Sequence, residues 1–266
     1  MTSSYTFRNL HDGDLLLLPN AWDAGSARLV ESLGAKAIAT TSAGLAWSRG
    51  YPDGDALPIE QLLAAARDIA RVIRVPLTVD IEGGYSSDPA VVAQVVNGII
   101  DVGAAGINLE DGASTPELLC AKIEAARNTA ARANADLFIN ARTDVYLRGL
   151  ATDDAALDEV VRRAELYRSA GCDGIFAPCL TDGRAIEIIA AAINPLPLNI
   201  MLMPNLPSIT LLRKQGVRRL SAGAALAQSA LGFISRLTTD FLGGSWDDMF
   251  TMAPDYSTTN QLFQGY

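Results

Sequence analysis

Five carboxylates fall in short motifs of the kind that end strands. Asp80 and Glu82 stand two apart in Val79-Asp80-Ile81-Glu82-Gly83-Gly84-Tyr85, Glu110 and Asp111 close Ile107-Asn108-Leu109-Glu110-Asp111, and Asp53 follows Tyr51-Pro52. If the first segment is a strand, its alternation turns Asp80 and Glu82 to one side. Carboxylates gathered in one mouth repel one another unless a cation offsets them. All-oxygen donors with no neighbouring His or Cys select Mg²⁺ or Mn²⁺, so Asp80, Glu82 and Glu110 are the candidate metal-holding residues. Arg142, in Asn140-Ala141-Arg142-Thr143-Asp144, presents a fork suited to a carboxylate or phosphonate. Asn20, Asn205 and the stretch Ser42-Ala43-Gly44, read as a loop with free backbone amides, complete a candidate site for a small anion. Each carboxylate alone has a plainer reading, as a solvated strand end or, for Asp111, a helix cap; it is the set that points to a site.

These residues need a scaffold that brings strand ends together. Apolar runs at 15–18, 37–41, 76–79, 107–109, 137–139, 174–177, 199–203 and 219–221 lack strict alternation, which suits parallel strands buried on both faces. Helical segments separate them. Over 58–74 the apolar residues Ile59, Leu62, Leu63, Ala66, Ile69, Ala70 and Ile73 recur at three and four. Asp88-Pro89 and Thr115-Pro116 are cap-then-proline starts. Further helices are expected over 152–169, 181–193, 207–215 and 222–242. Alternating strand and helix units in a chain of 266 residues predict an α/β fold, a (β/α)8 TIM-type barrel over about 15–240. An open doubly wound sheet is the alternative, but no glycine fingerprint follows the first strand. The chain reads as a single domain, 1–266, with a polar and aromatic tail over 243–266 that packs on the surface or on a neighbouring subunit.

Composition narrows the chemistry. The net charge is −9, with 49% hydrophobic and 19% charged residues, which argues against nucleic acid or an anionic membrane as partner. One histidine, His11, cannot supply a histidine metal cluster, and it reads as a surface or N-terminal packing residue. The lysines are Lys36, Lys122 and Lys214; none falls at a strand end, which disfavours a Schiff-base aldolase. Cys120, Cys172 and Cys179 lack metal or disulfide spacing and fit a reducing cytoplasm. Cys179 reads as a small packing residue rather than a nucleophile, since nothing basic adjoins it in sequence.

The segments 20–28, 41–45, 79–85, 106–111 and 139–144 resemble the isocitrate lyase/phosphoenolpyruvate mutase superfamily, most closely its phosphoenolpyruvate phosphonomutase-like branch. The resemblance covers about 15–240. It implies an α/β barrel whose eighth helix is exchanged between subunits of a homodimer or homotetramer. It also implies Mg²⁺ and the making or breaking of C–C or P–C bonds beside an α-oxycarboxylate. On this resemblance Asp80 and Glu82 match the acidic strand end, Glu110 the Glu-Asp strand end, Arg142 the strand-five arginine, Asp53 the loop carboxylate, and Ser42, Ala43 and Gly44 the amide-donating loop. Two departures stand out. Glu82 replaces a shorter Asp of many members. The lid that in isocitrate and methylisocitrate lyases carries Lys-Lys-Cys-Gly-His is missing, because Glu110-Asp111-Gly112-Ala113-Ser114-Thr115 runs almost directly into a helix.

The expected function is a Mg²⁺-dependent lyase or decarboxylase acting through a pyruvate-like enolate on a small anionic carboxylate, with Asp53, Glu110 and Arg142 as catalytic residues. The alternatives are a phosphonate enzyme acting on a P–C bond, of phosphonopyruvate hydrolase or phosphoenolpyruvate phosphonomutase type, and a ligand-binding barrel without turnover.

Overall fold

Runs such as Leu77-Thr78-Val79-Asp80 and Gly174-Ile175-Phe176-Ala177 are buried at every position. Only a sheet covered on both faces satisfies such strands. In a computed structural model, which describes residues 3–251 and 253–265, they are β4 (Leu77–Asp80) and β7 (Gly174–Ala177). The others are β1 (Leu16–Leu18), β2 (Asn20–Ala21), β3 (Ile38–Thr40), β5 (Gly106–Glu110), β6 (Phe138–Arg142), β8 (Leu198–Met201) and β9 (Val217–Ser221). All pairings are parallel, in the order β1-β9-β8-β7-β6-β5-β4-β3-β2. The result is the expected (β/α)8 barrel.

Nine strands form an eightfold barrel because the first strand is split. β1 pairs with β9 and β2 with β3, and Pro19 lies between them. Proline has no N–H to give a ladder, so the chain changes partners there. Asn20 spans the seam. Its Nδ2 donates to Thr40 O at 2.7 Å, and its Oδ1 accepts from Gly223 N at 2.9 Å. Both ends of its amide thus serve barrel closure, a structural bond set rather than the free substrate contact expected.

The helices alternate with the strands: α1 (Ser3–Asn9), α2 (Ala24–Ser32), α3 (Ser42–Ser48), α4 (Ile59–Val72), α5 (Pro89–Val102), α6 (Pro116–Arg132), α7 (Asp153–Ala170), α8 (Gly183–Ala192), α9 (Ile209–Lys214) and α10 (Ala225–Leu242). The tail holds α11 (Asp247–Thr251) and α12 (Tyr256–Gln261). The two cap-then-proline starts set α5 and α6: Asp88 accepts from Ala90 N, and Thr115 accepts from Leu118 N. No helix among the described residues is long and apolar enough to cross a membrane.

Two local features differ from expectation. Helix α1 is not expected from the polar N-terminus, yet it places Phe7 and His11 under the barrel. His11 is buried, stacked on Phe138 at 4.5 Å between ring centres and edge-on to Phe7. Burial, then the charge of Arg219, push its pKa down to about 3, so it stays neutral packing material. Above this floor Asn140 Nδ2 lies 2.9 Å from Asn108 Oδ1 and 3.0 Å from Asn199 Oδ1, and Arg219 Nη2 donates to Asn108 Oδ1. Second, residues 42–48 form α3 and not a loop. The tail returns to the surface of its own barrel, one of the two placements expected, where Arg28 Nε donates to Leu262 O at 2.9 Å. Trp246, Phe250, Tyr256 and Phe263 remain exposed; Tyr266 lies outside the described residues.

Candidate active site

The acids meet at the C-terminal mouth of the barrel, where barrel enzymes place their chemistry. Asp80 ends β4. Its N–H donates to Thr40 Oγ1 at 2.8 Å, and its Oδ1 accepts from Glu82 N at 3.2 Å. The strand stops there, so alternation does not govern Glu82. That residue sits in a left-handed turn at φ 51°, a conformation costly for a side-chain-bearing residue.

Neighbouring groups hold this turn from both sides. Glu82 Oε1 accepts from Tyr85 Oη at 3.0 Å, and Oε2 accepts from the N–H of Asp55. Asp55 Oδ1 in turn accepts from Tyr85 N at 3.2 Å. Lys122 reaches up from α6, buried, and donates to Gly83 O at 2.6 Å. Neither Asp55 nor Lys122 was singled out for the site by sequence reasoning. Asp55 lies two residues past the acid that was chosen, and Lys122 meets Gly83 only through the packing of α6.

Glu110, at the end of β5, faces Arg142 at the end of β6. These two are register partners, and Arg142 Nη1 lies 2.6 Å from Glu110 Oε2. The contact is an ion pair with poor hydrogen-bond angles, so Glu110 Oε2 is buried without a hydrogen-bond partner. The other side of the fork grips Asp144, with Nε to Oδ1 at 2.7 Å and Nη2 to Oδ2 at 3.1 Å. Each nitrogen of Arg142 therefore already faces a carboxylate. Burial opposes its charge, yet Glu110, Asp144 and Asp80 raise its pKa above the usual value.

The carboxyls show the reverse. Burial moves Glu82 up to about 7, against the backbone bond from Asp55 and with repulsion from Asp80 and Asp55. Burial moves Glu110 up to about 8, against the pull of Arg142 and with repulsion from Asp80, Asp144 and Glu82. Asp80 is also raised, by burial first; Arg142 and the amides of Glu82 and Ser42 work against it, and Asp53 adds repulsion. Dehydrated carboxyls that repel one another form a site short of positive charge.

The remaining candidates are placed unequally. Asp53 is exposed in the loop before α4, close enough to act on Asp80. Ser42, Ala43 and Gly44 form the first turn of α3, and Thr41 provides no side-chain cap. Their amides lack intrahelical partners because they start a helix, not because they lie in a loop, and that of Ser42 bonds to Asp80. Gly44 is required there: a Cβ would come within 2.8 Å of both Thr41 Cγ2 and Trp22 Cβ. Asn205 is exposed in the loop after β8 at φ 67°, and no contact ties it to the acids. Cys179, half-buried after β7 at φ 63°, feels the charges of Arg142 and Asp144, and burial raises its thiol pKa. Asp111 turns away from the mouth and caps nothing. Its Oδ2 accepts from Arg163 at 2.8 Å and from Tyr167 Oη at 2.6 Å, and its Oδ1 accepts from Asp144 N at 2.8 Å.

Among the described residues no three metal-type side chains converge closely enough to grip an ion by themselves. Mg²⁺ does not require that, since it keeps several waters and takes one or two carboxylates directly. All-oxygen donors, raised carboxyls and an orphaned buried oxygen on Glu110 fit such a hydrated ion.

Comparisons with known proteins bear on the family. The family model described as phosphoenolpyruvate phosphomutase matches residues 7–242. A protein of Mycobacterium tuberculosis (strain CDC 1551 / Oshkosh), uncharacterized protein MT2054, is 36% identical over 224 residues, 82% of either chain. A 2-methylisocitrate lyase of Aeropyrum pernix is 30% identical over 211 residues, 74% of this chain and 65% of that protein. The solved structure of a phosphonopyruvate hydrolase complex with oxalate and Mg²⁺ has a TM-score of 0.85 at 25% identity, covering 98% of this chain and 95% of the other.

Proposed function

The chain belongs to the phosphoenolpyruvate phosphomutase family and is an enzyme of the isocitrate lyase/phosphoenolpyruvate mutase superfamily; from that premise we propose that it is a Mg²⁺-dependent lyase or decarboxylase. It cleaves a C–C bond beside an α-oxycarboxylate and releases a pyruvate-like enolate. The observation that carries this reading is the cluster of Asp80, Glu82 and Glu110, raised by burial and mutual repulsion around one barrel mouth. A bound divalent cation would offset that repulsion and act as a Lewis acid toward developing oxyanion charge. Mn²⁺ suits the same donors.

The chain's own residues have separate tasks. Asp80, Glu82 and Glu110 hold the cation directly or through its waters. Arg142 keeps Glu110 and Asp144 in place and turns the edge of its guanidinium to the substrate carboxylate. The first-turn amides of α3 lie beside Asp80, one of them bonded to it, and serve as donors to the substrate's negative charge. Asp53 stands at the exposed rim. Calorimetry with Mg²⁺ and oxalate tests the reading. Oxalate should bind only with the cation, and Asp80→Ala should abolish binding; oxalate binding indifferent to Mg²⁺ and to Asp80 refutes it. Turnover of phosphonopyruvate in preference to malate or oxaloacetate derivatives would move the protein to the P–C enzymes.

We also propose a homodimer or homotetramer that exchanges α10. In this chain α10 buries only Ala227, while Leu226, Leu231, Phe233, Ile234, Phe241 and Leu242 are exposed. Leu17 on β1 and Leu29 on α2 are each 47% exposed and border an apolar groove lined also by Trp22, Leu202 and Leu220. Each surface has the chemistry the other needs. Light scattering that gives a monomer at micromolar concentration would refute this.

A further inference from the structure

At the rim of this mouth, Arg148 follows β6 in a turn held by its own N–H, which bonds to Asp144 O at 2.8 Å. Its side chain is 48% exposed, and its one charged contact is a long one, Nε to Asp144 Oδ2 at 3.4 Å. That oxygen already accepts from Arg142 Nη2. The guanidinium leans across toward the β5 end. Its Nη2 lies 3.8 Å from where a Cβ on Gly112 would stand, and Glu110 Oε1 lies 4.0 Å from the same point. Arg148 and Glu110 thus both border Gly112, on a connection to α6 too short to form a lid.

Arg142 is engaged on every nitrogen, whereas Arg148 has its Nη groups free. Two arginines on one rim with such different commitments suit different parts of a ligand. We propose that Arg148 is a substrate-binding residue that reads a second anionic group, distal to the α-oxycarboxylate. That group is the distal carboxylate or phosphonate of the acids already named for this mouth. The inference rests on the oxycarboxylate reading of the same mouth and adds to it the residue that meets the distal charge. An exposed arginine is an economical reader of that charge, since its fork pairs with either oxyanion in two bonds.

Calorimetry on the full chain with Mg²⁺ and three probes tests this. Oxalate is compact, malate adds a distal carboxylate, and phosphonolactate adds a distal phosphonate. Arg148→Gln should weaken malate or phosphonolactate, whichever wild type prefers, at least about tenfold, and leave oxalate within twofold. Arg148→Lys should recover part of the loss by restoring a point charge without the fork. The preferred probe tells carboxylate from phosphonate. Equal loss for all three probes, or no loss for any, overturns the inference, as does wild-type protein that binds neither long probe. Wild-type protein that binds malate but not oxalate refutes the metal-and-oxycarboxylate reading; Arg148 keeps its assignment in that case if R148Q still loses malate.

Discussion

Glu110 and Asp111 are adjacent acids at one strand end, and they do opposite work. Asp111 points outward into α7, with no side-chain exposure, and has a partner for both oxygens: Arg163, Tyr167 and the amide of Asp144. Glu110 points into the mouth. There it meets one arginine at a poor angle and three other carboxylates, and one of its oxygens has no hydrogen-bond partner. Asp111 N still bonds to Arg142 O, so pairing with β6 runs one residue past β5 and alternation turns the two acids apart. The satisfied acid joins a helix to the barrel; the unsatisfied one is left for a ligand. At neighbouring positions, polar satisfaction tells structure from function better than residue type does.

The largest effect that breaks this contrast is on the outer acid. Asp111→Ala leaves Arg163 buried beside the void, and chemical denaturation should show a loss of about 3–5 kcal/mol, the usual cost of removing one partner of a buried pair. Next is Glu110→Gln, which should cost little stability, within about 1 kcal/mol at neutral pH because it removes repulsion together with the ion pair. The same change should weaken Mg²⁺-dependent oxalate binding at least tenfold by calorimetry. If the two variants exchanged phenotypes, the contrast would be wrong.

Titration sharpens the comparison. A carboxyl whose pKa is higher folded than unfolded binds more protons in the folded state. Its contribution is present below the unfolded value, about 4.3 for glutamate, and is lost as pH rises through the folded value, about 7 for Glu82 and about 8 for Glu110. The metal-free protein should lose stability between pH 5 and 8, with a slope of at most about 1.4 kcal/mol per pH unit per carboxyl. Saturating Mg²⁺ or Glu110→Gln should flatten the thermal-denaturation profile; a slope unchanged by either would count against the cluster. The most local effect expected is that of Lys122→Met. Loss of its bond to Gly83 should cost about 1–2 kcal/mol and speed hydrogen exchange at Gly83–Tyr85, with Lys122→Arg partly restoring protection.

The strand-end motifs were legible because parallel strands are written as short apolar runs, and acids such as Asp80 and Glu110 interrupt those runs where each strand meets solvent. The starts of α5 and α6 were legible because a cap followed by proline is a local signal. The seam at Pro19, the helix at Ser42–Ser48 and the committed amide of Asn20 were not. The Asn20 amide bonds to Thr40 on β3 and to Gly223 just past β9, which only barrel closure brings alongside. Asp55, Lys122 and Arg148 were passed over for the same reason, since each matters through what it touches.

By itself, the sequence of this protein determined the order of its elements, the acids and arginine at its strand ends, the short connection after Glu110 and, through them, the family. These follow from local hydrophobic pattern and residue chemistry, which need no distant partner. Only the tertiary structure decided which oxygens were left unsatisfied. Whether a carboxylate is spent or free depends on donors from other elements: Arg163 and Tyr167 for Asp111, the Asp55 amide and Tyr85 for Glu82, Arg142 for Glu110. Burial then sets the energetic weight of each choice.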